Sequence, residues 1–226
     1  TLEPTRVAVL PLPELTPGLP PGLPEDLRLR QRADLQWATS RPLDERLRLR
    51  ATAHPRFEHG PAEPAAGLRH YVELPPGYNP RTLAWAAQMR RDPRLAQADA
   101  DTLAQALLRH IRSAGYTYTL NPGVYGDAQG RHAIDEFWLD RREGFCEHFA
   151  AAVTVVLRAL DVPARIVTGY QGAERNPVDG YYLVRNSFAH AWVEYWQPGR
   201  GWVRLDPTAA VAPDRIVRHA PLRPAP

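Results

Sequence analysis

Residues 146–160 read Cys-Glu-His-Phe-Ala-Ala-Ala-Val-Thr-Val-Val-Leu-Arg-Ala-Leu, and no other stretch constrains the fold so strongly. From 149 to 160, apolar side chains nearly encircle a helix drawn at 3.6 residues per turn. Such a segment has no wet face to offer and must run through the middle of a core. Pro163 ends it. Strand-like runs follow at 164–170, 181–185, 189–196 and 201–205. A buried central helix packed on an antiparallel sheet, an α+β architecture, is the expectation.

Upstream, Asn79-Pro80 is a helix start with proline at the first helical position. A short helix is expected over 83–89. A longer one is expected over 95–113, with Leu103, Leu107 and Ile111 at helical spacing and Gly115 as its stop. Residues 116–120 read as a strand, Asn121-Pro122-Gly123 as a turn and 133–142 as another short helix. Residues 1–75 look β-rich instead. Leu27-Arg28-Leu29-Arg30 and Leu47-Arg48-Leu49-Arg50-Ala51 alternate with the period of half-buried strands, and 69–74 is a further candidate. The proline-rich stretch 11–24 cannot join a sheet. The pattern divides the chain into a β-rich N-terminal subdomain over 1–78, a second domain over 79–217 and a flexible tail over 218–226.

Composition narrows the function classes. All 28 basic residues are arginine, the net charge is +3, and no basic block is interleaved with aromatics, so nucleic acid is not an expected partner. One cysteine excludes an internal disulfide and a multi-cysteine zinc site. Cys146, His148 and His190 lack a fourth ligand and zinc-site spacing. Asp99, Asp101, Asp127 and Asp135 form no calcium loop. No metal or cofactor is therefore expected. No apolar run is long enough to span a bilayer and no signal peptide opens the chain. It begins at Thr1 within strand-like sequence, as a piece of a longer protein would.

The single cysteine stands where the central helix begins. Unpaired backbone N–H groups and the helix dipole favour an anion there, which lowers a thiol pKa. Cys146 shares a helical stripe with Phe149, Ala150, Val153 and Leu157, so its sulfur points into the protein. His148, two residues on, points about 200° away from the sulfur and reads either as supporting the site from behind or as structural. Ala189-His190-Ala191-Trp192 and Leu205-Asp206-Pro207-Thr208 supply the other two parts of an activated thiol: an imidazole to take the proton and a carboxylate to orient it. A hairpin centred on Pro198 sets His190 directly opposite Asp206, Trp192 opposite Arg204 and Glu194 opposite Trp202, all on one face. Directly opposed Cβ atoms lie ~5 Å apart, within reach of a His–carboxylate hydrogen bond.

Several ordered motifs resemble the transglutaminase-like core. They are Phe145-Cys146-Glu147-His148-Phe149-Ala150, Pro163-Ala164-Arg165-Ile166-Val167-Thr168-Gly169-Tyr170, Ala189-His190-Ala191-Trp192-Val193-Glu194 and Gly201-Trp202-Val203-Arg204-Leu205-Asp206-Pro207-Thr208. More narrowly, they resemble the bacterial membrane-anchored transglutaminase-like proteins of the TgpA type. The resemblance is strong over 80–217 and weak over 1–75. It implies a papain-like α+β core with the cysteine on the central helix and the histidine and aspartate on the sheet. It also implies a periplasmic domain of an inner-membrane protein whose membrane helices lie outside this chain. The implied chemistry is acyl transfer from an amide through a thioester, with Cys146, His190 and Asp206 as the triad. The implied partners are a protein or peptide amide donor and a separate amine acceptor, for which cell-wall peptide is a candidate from compartment alone. Related enzymes supply an oxyanion donor from an upstream side chain, here Tyr118 or, less suitably, Trp138. Trp192 and Trp202 are candidates to line an acceptor channel. One position departs from the pattern: Phe188 stands where the family often carries an acidic residue. A cysteine peptidase or amidase that uses water, and a non-catalytic extracytoplasmic binding module, remain as alternatives.

Overall fold

Leu10, Leu27, Trp37, Leu43 and Leu47 close a small apolar core within the first of two compact units, Thr1–Glu58. The computed structural model describes residues 1–127 and 130–213, so the expected tail over 218–226 lies outside the described residues. In the first unit, β1 (Val9–Leu10), β2 (Leu29–Gln31) and β3 (Trp37–Thr39) form an antiparallel sheet in the order β1-β3-β2. The buried Trp37 indole N–H donates to the Thr16 carbonyl at 3.0 Å, which satisfies the polar end of its largest core residue. The alternation at 27–30 thus yields a strand displaced toward Gln31. That at 47–51 yields only one bridge, between Leu47 and Leu2. Periodicity marks a half-buried face, but a ladder needs a partner of matching length.

The second unit begins at His59. Its first residues hydrogen-bond within that unit: His59 O accepts from Trp202 N–H at 2.7 Å, Ala62 O from Gly199 N–H at 2.8 Å and Glu73 O from Arg158 at 2.9 Å. The expected strand at 69–74 is instead a 3-10 helix, Ala66–Tyr71, which buries only Leu68. Pro75-Pro76 follows it and removes two backbone donors that a strand would need.

Helix α1 spans Pro80–Arg91 and α2 spans Ala100–Ser113. The latter starts five residues later than periodicity suggests, because the Asp99 carboxylate caps it by accepting from Thr102 N–H at 2.9 Å. A short β4 (Thr117–Tyr118) precedes α3 (Ala133–Asp135), which runs into a π-helical turn, Glu136–Arg141. The starts of α1 and α3 cap each other. The Asn79 side-chain oxygen accepts from the N–H groups of Ile134 (3.1 Å) and Asp135 (3.3 Å). The buried Asp135 carboxylate accepts from Arg81 N–H (3.1 Å) and Thr82 N–H (2.7 Å). Asp135→Ala strands both donors and is expected to cost about 3 kcal/mol, read as a lower urea midpoint with unchanged slope.

Strand β5 (Glu143–Gly144) leads into α4 (Cys146–Ala159), the helix anticipated from its apolar circumference. Phe149, Ala150, Ala152, Val153, Val156 and Leu157 are wholly buried. Each large side chain among them contributes about 1.5–3 kcal/mol by leaving water. Helices α1 and α2 pack on α4, as does a sheet built from β6 (Ala164–Tyr170), β9 (Ala189–Gln197) and β10 (Gly201–Leu205). Its order is β10-β9-β6 and all its pairs are antiparallel. Between β6 and β9, residues expected as one strand at 181–185 form half of a small hairpin, β7 (Glu174–Arg175) with β8 (Tyr182–Leu183). The second unit therefore has the expected α+β layout, a cysteine-bearing central helix on an antiparallel sheet.

Candidate active site

Cys146 is the first residue of α4, preceded by Phe145 in extended backbone. No Ser, Thr, Asp or Asn stands at the cap. Instead, His148 Nδ1 accepts from Phe145 N–H at 3.4 Å, and its ring packs among Phe145, Tyr125 and Phe137. Burial holds the His148 imidazole below its ordinary pKa, so it stays the neutral acceptor this bond requires. Arg141 lies 4.0 Å over the Tyr125 ring on the far side of this cluster. Gly144 makes the packing possible, because a Cβ there would come within 2.8 Å of His148 and 2.9 Å of Phe137. His148 thus fixes the backbone entering α4, a role its sequence position alone does not reveal.

On the sheet, His190 Nε2 and Asp206 Oδ2 are 2.7 Å apart, with side chains only 4% and 12% exposed. With Nε2 engaged by the carboxylate, Nδ1 is the nitrogen left toward the cysteine, and His190 and Cys146 are close enough to shift each other's pKa. Asp206 Oδ1 accepts from Thr208 N–H at 3.1 Å, so the same carboxylate caps the 3-10 turn Pro207–Ala210. Asp-Pro-Thr is a capping sequence with proline at the first helical position, and that cap aims the second oxygen at His190.

The hairpin register differs from the expected one. Gly201 pairs with Gln197 and Leu205 with Val193, which centres the turn on Gly199 rather than Pro198. Arg204 faces Glu194 and Trp202 faces Trp196. His190 and Asp206 are consequently diagonal, not directly opposed. They still share a face, because the slip moves each partner by two residues and preserves side-chain parity. Asp206 bridges the longer diagonal because it lies past the end of β10, free of the ladder.

The electrostatics favour an ion pair. Burial is the largest influence on Cys146 and opposes ionisation. Hydrogen bonds from His190 and from the Ala191 and Glu147 backbone, together with the imidazolium charge, outweigh it and bring the thiol below its ordinary value. Burial likewise pushes His190 down, but the bonds to Asp206 and Cys146 and their negative charges overcome this and raise it to about 9. Both shifts act in the direction that favours a thiolate beside an imidazolium, with the carboxylate holding the ring. That arrangement can perform nucleophilic attack and return a proton to a leaving group.

The remaining sequence candidates fall in different places. Trp192 stacks near His190, with ring centroids 6.3 Å apart and planes 22° from parallel, and Arg204 covers it at 4.2 Å. Gly169, paired with His190, leaves room for that indole, since a Cβ would lie 2.9 Å from its ring. Trp202 does not join this group. It lies near the turn of the hairpin, half-buried, packed edge-on to Tyr71 at 4.8 Å and beneath Arg165 at 4.3 Å. Tyr118 pairs with Gly144 across the parallel β4–β5 bridge, two residues before Cys146, and its hydroxyl is buried. Trp138 packs instead among Trp85, His110 and Tyr116. Among the described residues, no cluster of three or more His, Cys, Asp or Glu side chains could hold a metal ion.

Comparison with known proteins agrees with this architecture. The protein-glutamine gamma-glutamyltransferase of Pseudomonas aeruginosa is 41% identical over 185 residues, covering 81% of this chain and 26% of that protein. The chain thus spans about a quarter of that curated relative's length. An uncharacterized Bacillus subtilis protein, YebA, is 30% identical over 142 residues, covering 61% of this chain and 19% of its own. The crystal structure of the periplasmic domain of TgpA from Pseudomonas aeruginosa, bound to ethylmercury, superposes with a TM-score of 0.80 at 37% identity. That match covers 95% of this chain and 72% of the other. Residues 83–207, which hold the cysteine, the histidine and the aspartate, match the Transglutaminase-like superfamily. The chain belongs to the transglutaminase-like superfamily.

Proposed function

We propose that this chain is the periplasmic catalytic domain of an inner-membrane protein that transfers acyl groups from glutamine-type amides, with Cys146, His190 and Asp206 as its catalytic triad. The observation that carries the reading is the buried line of thiol, imidazole and carboxylate, with the thiol at a helix N-terminus and lowered in pKa. The similarity to the P. aeruginosa glutamyltransferase and to the TgpA periplasmic domain supports the substrate class and the compartment.

In the first half-reaction the Cys146 thiolate forms a C–S bond to the amide carbon, and the carbonyl π pair moves onto oxygen. The Cys146 backbone N–H and the Tyr118 hydroxyl are the donors proposed for that oxyanion; one such donor is worth about 3–4 kcal/mol. Collapse of the intermediate breaks the C–N bond, and the His190 imidazolium gives its proton to the departing nitrogen, releasing ammonia from a primary amide. In the second half-reaction an amine attacks the thioester, His190 takes its proton, and the thiolate leaves. Asp206 holds the ring and balances its charge throughout. The chain contains no lysine. Its acceptor amine therefore comes from a separate molecule, and cell-wall peptide is the proposed source in that compartment.

Intact-mass spectrometry after incubation with carbobenzoxy-glutaminyl-glycine tests this. A thioester adduct on the wild type, absent from Cys146→Ala and discharged onto monodansylcadaverine, is the expected result. Discharge to water alone, with the amine present in excess, would make the protein an amidase. No adduct, with a normally folded thiol, would favour the binding module.

A further inference from the structure

Between β6 and β9 the chain leaves the sheet for residues 171–188 and returns directly into His190. The excursion is rooted at the site: Tyr170 pairs with Ala189, Gly169 pairs with His190, and Gln171 N–H donates to Phe188 O at 2.9 Å, closing its neck. Within it, β7 and β8 pair, Arg185 binds Glu174 at 2.8 Å, and the Asn176 side chain accepts from Val178 and Asp179 N–H to hold the turn.

This hairpin has no buried face. Tyr181, Tyr182, Leu183 and Val184 are consecutive and all exposed, and Val178 at the turn is 87% exposed, with exposed Tyr170 at the root. A two-stranded hairpin of this length gains little stability alone, and contiguous exposed apolar side chains mark a contact surface. Among the described residues β8 pairs only with β7, which leaves its other main-chain edge open to an extended segment. The charges of the excursion cancel, Glu174 and Asp179 against Arg175 and Arg185. An anionic lipid surface or a polyanion would find no net field here, whereas an apolar polypeptide segment needs none.

We infer that this excursion is the docking ridge for a polypeptide amide donor in which apolar or aromatic residues flank the reacting glutamine. The inference rests on the acyl-transfer reading, to which it adds a substrate class. Its occupant lies beside the histidine because both ends of the ridge do.

The test combines Tyr181→Ser, Tyr182→Ser and Val184→Ser in the full chain and compares two donors, dimethylcasein and carbobenzoxy-glutaminyl-glycine, with monodansylcadaverine as acceptor. Iodoacetamide alkylation of Cys146 at pH 7 reports whether the site is intact. The ratio of kcat/KM for the protein donor to that for the dipeptide is expected to fall about tenfold, equivalent to ~1.4 kcal/mol, through KM. An unchanged ratio, with Cys146 still reactive, overturns the docking ridge and leaves the transferase reading standing. No turnover of either donor by the wild-type protein overturns both. If the wild type sediments with phosphatidylethanolamine–phosphatidylglycerol vesicles, and the triple variant does not while its ratio is unchanged, the ridge belongs to a lipid surface and the inference fails.

Discussion

His190→Ala is expected to leave a folded protein whose thiol has lost its reactivity. In the wild type, burial pushes Cys146 toward the neutral thiol, and the imidazole's hydrogen bond and charge reverse that push. Without the imidazole, burial prevails and the thiol pKa rises above its ordinary value. Alkylation by iodoacetamide at pH 6.5 should drop at least tenfold, since the thiolate is the reacting species. Acyl transfer should fall by about 10^4-fold or more, because members of a triad act as a unit. Rates measured across pH distinguish this outcome from misfolding. The variant's alkylation should recover at high pH, where any accessible thiol ionises, whereas a damaged site would expose the cysteine and ionise it at its ordinary value. A pH profile identical to that of the wild type would remove His190 from the mechanism.

Asp206→Ala probes the other end of the line. Asp206 is the main group that lifts His190 from 6.5 to about 9 against the pull of burial. Its removal should bring the imidazolium's loss down toward or below 6.5, so the basic limb of kcat/KM retreats from near pH 9 into the neutral range. At pH 8 the transfer rate should drop by about 10^3-fold, from loss of both charge and ring orientation. Stability follows the same titration. A histidine pKa raised on folding adds stability that is complete below 6.5 and lost as pH climbs through 9. The difference in Tm between wild type and Asp206→Ala should therefore be greatest at pH 6 and shrink above pH 9. A difference independent of pH would mean that Asp206 acts only as the cap of its 3-10 turn.

The parts of this site legible in the sequence are those set by strong local chemistry. The helix at Cys146 was readable because twelve residues of apolar circumference admit one solution, and its start coincides with the observed Cys146–Ala159. The two strands that carry and face the histidine were readable from their runs. Their register was not, since Pro198-Gly199 allows two turn centres and only the folded sheet selects Gly199. Parity rescued the pairing of faces, although not of neighbours. Trp202 shows the difference: the expected register sets it opposite Glu194, whereas it faces Trp196 and packs on Tyr71. The mutual caps of Asn79 and Asp135 depend on contacts more than fifty residues apart, which no local window contains.

The line from Cys146 through His190 to Asp206 draws on one helix, one strand and the residue after a second strand, so it spans sixty positions of the chain. A polypeptide still being made or threaded across a membrane has the cysteine long before it has the carboxylate. Until the sheet closes, the thiol keeps its ordinary pKa and reacts slowly with oxidants and electrophiles, which attack the thiolate. The groups that lower the thiol's pKa meet it only in the fold that also buries it, with 7% of the residue left exposed. On the proposed triad, reactivity and shelter thus arrive in a single event, when folding brings the three residues together.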